Sequence, residues 1–200
     1  MKISALILAA GLSSRIKGFK PLLEIDGKSL FEHVYGLFAD SGIDDIVTVV
    51  GHRSADLIPV VKAVSSRYVI NYQYQDGMFS SIQKGAEELK GACDAFFLLP
   101  VDIPFVRPAT IHGLVAEYSK DPLTLVCYPQ FNSRRGHPPL IDGRLAEQIL
   151  TYDGQDGMRG FLKQHKDRSR MVSVDDPFIL KDIDTEEDLS AVKQELLKRA

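Results

Sequence analysis

Cysteine is scarce in this sequence. Among 200 residues only Cys93 and Cys127 are cysteines, and each lies in an apolar run typical of a buried free thiol. No C-x-x-C pair is present, so the sequence predicts neither a disulfide framework nor a zinc or redox motif. This cysteine usage favours a reducing, cytoplasmic location.

An excess of basic residues and a long apolar run are also missing. The net charge is −3, which argues against nucleic acid as a partner. No stretch approaches the ~20 apolar residues that a membrane span requires, so we expect no membrane partner. ISALILAAG after Lys2 fits either a short signal peptide or a buried first strand, and we favour the strand.

Repeats, low-complexity tracts and linkers are absent, which predicts one domain over residues 1–200. Apolar runs of strand length alternate with segments of helical periodicity. This alternation predicts an α/β fold of three layers, α/β/α, with a mostly parallel central sheet. The predicted strands are 3–9, 45–51, 67–73, 93–102 and 123–129. The predicted helices are 29–41, 54–65, 80–90, 108–120 and 182–199, the last with Thr185 as its N-cap.

The loop after the first strand is small and positive. Gly11 lets the backbone approach a ligand, and Arg15 and Lys20 add charge, so polyphosphate is the expected guest. Two standard phosphate motifs fail here. G-x-G-x-x-G lacks its other glycines, and the P-loop tail at Gly27-Lys28-Ser29 has Leu22 where the first glycine belongs, so IDGKS is predicted to be a turn.

What remains is L-A-A-G-x-S-S-R-x-x-x-x-K over residues 8–20, followed in order by VVGHR, DGMFSSIQKG, LLPVDIPFV, RRGHPPLI with DGQDGMRGFL, and DIDTEEDL. These stretches resemble the nucleotidyltransferases of glycosyltransferase-A-like fold, and within them the molybdopterin cytidylyl- and guanylyltransferases. The resemblance covers essentially the whole chain. One departure is that the family's R-M-G-x-x-K is here R-I-K-G-F-K, so that Gly18 stands one place later.

The resemblance implies a nucleotide-binding half over about 1–105. Lys20, Arg15 and Asp102 are expected to be catalytic, and Asp102 and Asp184 to hold Mg²⁺, with Asp182 as a substitute for Asp184. The alternative to metal binding is that Asp102 is an ordinary turn or helix-capping aspartate and that Asp184 is an ordinary acidic residue at the start of a helix. The expected nucleotide-binding residues are Leu8, Ala9, Ala10, Gly11, Leu12, Ser13, Ser14, Arg15, Lys20, Gly77 and Ser81.

The same resemblance implies an acceptor-binding half over about 106–200. Its expected residues are Arg134, Arg135, Gly136, His137, Asp156 and Arg159. The family's G-D-x-G-A-R segment is altered here to G-Q-D-G-M-R. The alternative to acceptor binding is that Arg134 and Arg135 lie in a solvated surface loop. His52 either lines the cleft or is a capped or solvated histidine.

Ala10, where the guanylyl branch tends to have glycine, favours CTP. The resemblance then implies transfer of CMP from CTP to molybdopterin, and a transient contact with a molybdenum hydroxylase of the xanthine dehydrogenase class. Guanylyl transfer, a sugar-1-phosphate nucleotidyltransferase and a non-catalytic cofactor chaperone stay open. A dehydrogenase domain is disfavoured by the missing glycines.

Overall fold

The computed structural model describes residues 1–197 and has a central sheet of eight strands. The strands of this sheet and of one small hairpin, numbered along the chain, are β1 Ile3–Ala9, β2 Glu24–Ile25, β3 Lys28–Ser29, β4 Asp45–Val50, β5 Arg67–Ile70, β6 Ala95–Pro100, β7 Val126–Phe131, β8 Arg134–Arg135, β9 Leu140–Asp142 and β10 Ser169–Ser173. The sheet order is β10-β7-β9-β6-β1-β4-β5, with β8 paired to β7 and the hairpin β2-β3 separate.

Helices cover both faces of this sheet. They are α1 Leu30–Asp40, α2 Ser54–Ala63, α3 Met78–Leu89, α4 Pro108–Tyr118, α5 Leu145–Thr151, α6 Gly157–Lys163 and α7 Glu186–Leu197. One apolar core joins the sheet to α1, α2, α4 and α7, and a second joins it to α3, α5 and α6. The predicted three-layer arrangement is therefore confirmed.

The central strands are buried on both faces, which explains their unbroken apolar runs. Residues 5–9 of β1 and 95–99 of β6 are all buried. β1 pairs in parallel with β4 and β6, β4 with β5, and β7 with β10, whereas β9 is antiparallel to both neighbours. The sheet is mostly parallel, as predicted.

Several local predictions are also confirmed. Asp26 and Gly27 form the turn of IDGKS with φ of 51° and 76°. Thr185 caps α7, because its Oγ1 accepts from the Asp188 N–H at 3.1 Å and its own N–H donates to Asp188 Oδ2 at 2.8 Å. Residues 198 and 199 of the predicted last helix lie outside the described residues.

Other boundaries were wrong. The strand predicted over 93–102 ends at Pro100, so Asp102 lies in the following turn rather than in the strand. The strand predicted over 67–73 ends at Ile70, and the one predicted over 123–129 is Val126–Phe131. The helix predicted to begin at Ser80 begins at Met78, because Gly77 takes φ 97° there, a conformation that only glycine adopts without strain.

Two further features bear on the sequence predictions. Both cysteines are free; Cys127 is buried and Cys93 is partly buried. Within residues 1–197 no helix combines the length and the apolar character needed to cross a membrane.

Candidate active site

The loop over residues 10–20 leaves β1 at its carboxyl end, where sites of parallel sheets form. A Cβ added to Gly11 would meet no atom within 4 Å, so packing within the chain does not require glycine there. The loop is fastened at two places. The Lys20 N–H donates to Ser13 Oγ at 3.0 Å, and the Lys17 N–H donates to Glu186 Oε1 of α7 at 3.0 Å. The open space beside Gly11 is therefore available to a ligand.

Two cations and two carboxylates meet beside this loop. Lys20 Nζ lies 2.6 Å from Asp184 Oδ1 and 3.4 Å from Asp102 Oδ2, and Arg15 Nη2 lies 2.8 Å from Asp184 Oδ2. Lys20 is mostly buried, with 12% of its side chain exposed, whereas Arg15 is 68% exposed. A backbone bond of 2.8 Å from the Ile183 N–H to the Asp102 carbonyl joins the two acidic segments.

The electrostatics of this cluster favour a cation between the carboxylates. Burial raises the pKa of Asp102 above its usual range, with Lys20 opposing the rise and Asp184 adding to it. Removing the Lys20 ammonium would leave two nearby carboxylates without a shared counterion. A cation that replaced Lys20 there would therefore be stabilised by both carboxylates.

A divalent metal fits this position in part. The Lys20 ammonium marks a point that both Asp102 and Asp184 already reach, and hard divalent cations prefer such oxygens. Among residues 1–197 there is no cluster of three or more histidine, cysteine, aspartate or glutamate side chains arranged to hold a metal. The remaining ligands would come from water and substrate phosphates, as is usual for Mg²⁺.

A cleft of about 290 Å³ extends from the phosphate loop towards α3. Ser81 at its floor is buried, and its Oγ accepts from Asn71 Nδ2 at 2.9 Å. Asn71 is itself held by its backbone N–H, which donates to the Val50 carbonyl at 2.8 Å. These bonds fix the side of the cleft where a nucleoside would lie next to a triphosphate.

The cleft gathers most of the residues predicted to bind nucleotide. Its lining includes Leu8, Ala10, Gly11, Leu12, Ser13, Lys20, Gly77, Ser81 and Asp102. Ala9 is buried in the core, Ser14 is exposed, and Arg15 reaches the site only through Asp184. Asp182 is exposed and makes no ion pair within the described residues, so Asp184 is the better placed carboxylate.

Sequence reasoning missed several lining residues, namely Pro21, Tyr74, Gln75, Met78, Pro100 and Val101. It also missed Asn71, although an asparagine directly after a strand was a usable signal. Glu186 was not singled out either, and its Oε1 accepts the Lys17 N–H. His52 lies beside the cleft, where its backbone N–H donates to the Ala10 carbonyl at 3.2 Å.

The residues predicted to bind the acceptor form two groups. Arg134 and Arg135 lie exposed in β8, while Gly136 is buried against Ile179, and the His137 N–H donates to the Ile179 carbonyl at 2.8 Å. A Cβ on Gly136 would lie 2.4 Å from that carbonyl oxygen, so this glycine shapes the loop. The second group is Asp156, exposed before α6, and Arg159 on α6.

A glycine-containing loop after the first strand, beside a lysine, an arginine and two aspartates, supplies the charges that phosphoryl-type transfer needs. Residues 5–169 match the family model described as the MobA-like NTP transferase domain, so the chain belongs to this family and is a nucleotidyltransferase.

Two curated relatives differ in how much of their length the chain covers. The chain is 26% identical to nicotine blue oxidoreductase of Paenarthrobacter nicotinovorans over 193 residues, which span 94% of each chain. It is 31% identical over 123 residues to the bifunctional protein GlmU of Staphylococcus saprophyticus, a match that spans 60% of this chain and 27% of that protein.

Solved structures share the fold. A nucleotidyl transferase of Methanothermobacter superimposes with a TM-score of 0.84 at 22% identity, over 99% of each chain. Rv0371c of Mycobacterium tuberculosis, solved as a complex with manganese, gives 0.79 at 19% identity over 97% of this chain and 99% of that one. Molybdopterin-guanine dinucleotide biosynthesis protein A of Archaeoglobus fulgidus gives 0.66 at 16% identity over 98% and 99%.

Proposed function

We propose that this protein transfers CMP from CTP to the phosphate of molybdopterin, with Mg²⁺, in the cytoplasm. The observation that carries the proposal is the cluster of Lys20, Arg15, Asp102 and Asp184 at the phosphate end of the cleft. Such a cluster supplies charge neutralisation and positioning, which are the main protein contributions to phosphoryl transfer.

In the proposed reaction an acceptor phosphate oxygen forms a bond to the α-phosphorus of CTP. The bond from that phosphorus to the β-bridging oxygen breaks, and pyrophosphate leaves with the electron pair. Lys20 and Arg15 turn from the carboxylates to the phosphate oxygens, where they stabilise the charge that develops on the leaving group. Asp102 and Asp184 would hold Mg²⁺, which would supply further charge neutralisation.

The choice of CTP rests on Ala10, which stands where the guanylyltransferases tend to have glycine. Ala10 lines the cleft and is buried, and a Cβ added to Gly51 would lie 2.8 Å from its methyl carbon and 2.9 Å from Cβ of Tyr74. The chain is therefore tightly packed behind Ala10.

The acceptor is proposed to bind over Arg134, Arg135, His137, Asp156 and Arg159, in a loop whose shape Gly136 sets. The neighbour from Archaeoglobus is named for molybdopterin-guanine dinucleotide synthesis, which supports a pterin acceptor. The manganese in Rv0371c supports a divalent cation. The oxidoreductase in the name of one relative finds no support in the dinucleotide-binding glycines, which this chain lacks.

The decisive experiment measures pyrophosphate release from CTP, GTP, ATP and UTP with Mg²⁺ and purified molybdopterin. We expect release with CTP, and its loss in Asp102→Asn but not in Asp44→Asn, a matched change at an exposed aspartate. Release only with GTP would assign guanylyl transfer. Release only with a sugar phosphate would replace the acceptor, and nucleotide binding without turnover would indicate a cofactor chaperone.

Nucleotide choice has its own test in Ala10→Gly. Removing one methyl group from a packed wall changes discrimination by roughly tenfold, so the preference for CTP over GTP should shrink by about that factor. The ratio of kcat/KM for the two nucleotides measures it. An unchanged ratio would show that Ala10 does not select the base.

A further inference from the structure

A second concave site lies on the other half of the sheet, between α6 and the strands β7 and β10. This basic groove has a volume of about 290 Å³. Four cationic side chains line it, and the lining contains no carboxylate: Arg135, Arg159, Lys163 and Lys166, with Tyr128 and Ser169. The groove is therefore strongly positive on a protein whose net charge is −3.

The four cations have no ionic partners among residues 1–197. None of their side chains forms an ion pair or a hydrogen bond with a described residue, and the Arg135 guanidinium carbon lies 4.4 Å from the centre of the Tyr128 ring. By contrast, Arg170 of β10 forms an ion pair with Asp121 at 2.8 Å. Unpaired like charges repel one another, so an anion in the groove would relieve this repulsion.

Tyr128 supplies an independent indication of a ligand. Only 4% of this residue is exposed, it lines the groove, and its hydroxyl has no hydrogen-bond partner among the described residues. Burial raises the pKa of Tyr128, with Arg135 opposing the rise, so the hydroxyl stays protonated and able to donate. The hydroxyl is not among the fully buried polar atoms of the described residues, so it opens to the groove, where an anionic oxygen would accept this donor.

The basic groove is separate from the nucleotide cleft. The two linings share no residue. The cleft lies over β1 and β6 and the groove over β7 and β10, which places them about three strand spacings apart, roughly 14 Å. A nucleotide held beside Lys20 would leave the groove free for a second ligand.

We propose that the basic groove is a second anion site that binds a phosphoryl group of a small molecule. Its concave shape and volume suit a compact ligand, and its guanidinium, ammonium and hydroxyl donors match phosphate oxygens. The proposal goes beyond the transferase reaction and holds whether or not that reaction occurs. The phosphoryl group belongs to a free phosphate compound, because the single phosphate of molybdopterin is the group that attacks CTP in the proposed reaction.

The test is a titration of the metal-free, ¹⁵N-labelled protein with pyrophosphate, followed by amide NMR shifts. We expect saturable shifts at Lys163, Lys166, Ser169 and Met171, distinct from any shifts at residues 11–13. Lys163→Gln/Lys166→Gln should weaken binding at the groove by about tenfold or more. Lys28→Gln/Lys193→Gln removes the same charge from two other exposed lysines and should leave it unchanged.

The proposal is overturned if pyrophosphate shifts only residues 11–13, or if both double variants bind alike. It is also overturned if a polyglutamate peptide shifts the groove amides and pyrophosphate does not, because the surface would then serve an acidic protein. Should the double variant fold poorly, Lys163→Gln alone replaces it.

Steady-state rates with CTP and molybdopterin then show whether the acceptor itself occupies the groove. If the groove holds the pterin end of the acceptor, Lys163→Gln/Lys166→Gln raises KM for molybdopterin and leaves KM for CTP unchanged, and the phosphoryl site is overturned. If it holds a free phosphate compound, both KM values stay unchanged and added phosphate alters the wild-type rate only. Absence of turnover would refute the proposed transfer, while the NMR titration would still decide the groove.

Discussion

The nucleotide cleft and the basic groove have the same volume, about 290 Å³, but opposite arrangements of charge. In the cleft, Lys20 and Arg15 are held by Asp102 and Asp184. In the groove, none of the four cations has a carboxylate partner in the described part of the chain. The cations of the cleft therefore already have counterions within the protein, whereas those of the groove have none among the described residues.

Paired charges suit a site that must bind a metal and a triphosphate together. When Lys20 turns to a phosphate, the carboxylates it leaves can bind a cation, so each ligand favours the binding of the other. The groove has no such exchange, and its positive field acts on any anion that enters.

The largest expected effect comes from breaking the paired arrangement with Lys20→Ala. Loss of one positioned charge should lower nucleotidyl transfer by about 10²–10³-fold. Without nucleotide, however, Mn²⁺ should bind more tightly than in the wild type, because the competing ammonium is gone. Pyrophosphate release and electron paramagnetic resonance of Mn²⁺ measure the two effects. Lys28→Ala is the control, and unchanged Mn²⁺ affinity would show that Lys20 does not compete with the metal.

A third charged cluster sharpens the comparison because it is structural. Asp142 is almost fully buried and accepts from Tyr118 Oη at 2.6 Å and from Arg144 Nε at 2.7 Å. Burial opposes its ionisation, but the hydrogen bonds from Arg144 and Tyr118 lower its pKa overall. Asp142→Asn should lower the free energy of unfolding by about 2 kcal/mol at pH 7.

The pH dependence of that loss has a definite sign. Because the folded-state pKa of Asp142 is depressed, its stabilisation is present above the unfolded value of about 3.9 and is lost as the pH falls through the lower folded value. The difference between the wild type and Asp142→Asn should therefore narrow below about pH 4 in urea denaturation. A difference that stays constant there would contradict the assignment, and Asp44→Asn should show almost no loss at any pH.

Gly11→Ala tests whether the space in the cleft belongs to a ligand. Apart from the two chain neighbours of Gly11, no described residue has an atom within 4 Å of the added methyl, so folding should be unaffected, whereas CTP affinity should fall by about tenfold or more as the methyl displaces phosphate. Differential scanning calorimetry measures the stability, and isothermal titration calorimetry measures the CTP affinity. Gly36→Ala, at another glycine with open space but inside α1, should raise stability by about 0.5–1 kcal/mol and leave CTP binding unchanged. Equal CTP affinity in wild type and Gly11→Ala would remove Gly11 from the site.

The smallest effect is expected for the stability of Lys163→Gln/Lys166→Gln. Relief of repulsion among exposed charges should raise the free energy of unfolding by a few tenths of a kcal/mol, about 0.5 at most. The gain should vanish in 1 M salt, where the screening length is about 3 Å. Clear destabilisation in urea titrations would mean that these lysines pair with the chain after all.

Much of the fold was predictable because its main strands and helices carry strong periodic patterns. The strands and helices from β1 to α4 follow the predicted alternation, with boundaries displaced by a few residues. β9 was missed because three residues, Leu140–Asp142, are too few to show a period. Its place between β6 and β7 is set by pairing with both, a long-range property.

The candidate site, too, could be predicted only in part. Motifs identified Lys20, Asp102 and Asp184, and the structure brings their side chains together. Asn71, Glu186 and Lys163 escaped notice because each acts through a partner distant in sequence or through a shared surface. Arg135 and Arg159 were assigned together to an acceptor, and the structure adds that they face one groove with two lysines.

The sequence by itself determined the fold class and singled out the loop after β1 and the acidic residues at strand and helix ends as candidates, because periodicity and local motif chemistry act over a few residues. Only the tertiary structure decided that Lys20 bridges Asp102 and Asp184, from sequence positions 82 and 164 residues away. It alone also decided that four cations line one groove without an ionic partner among residues 1–197. Charge pairing depends on which side chains the packed sheet brings within a few ångströms, and no local pattern records that distance.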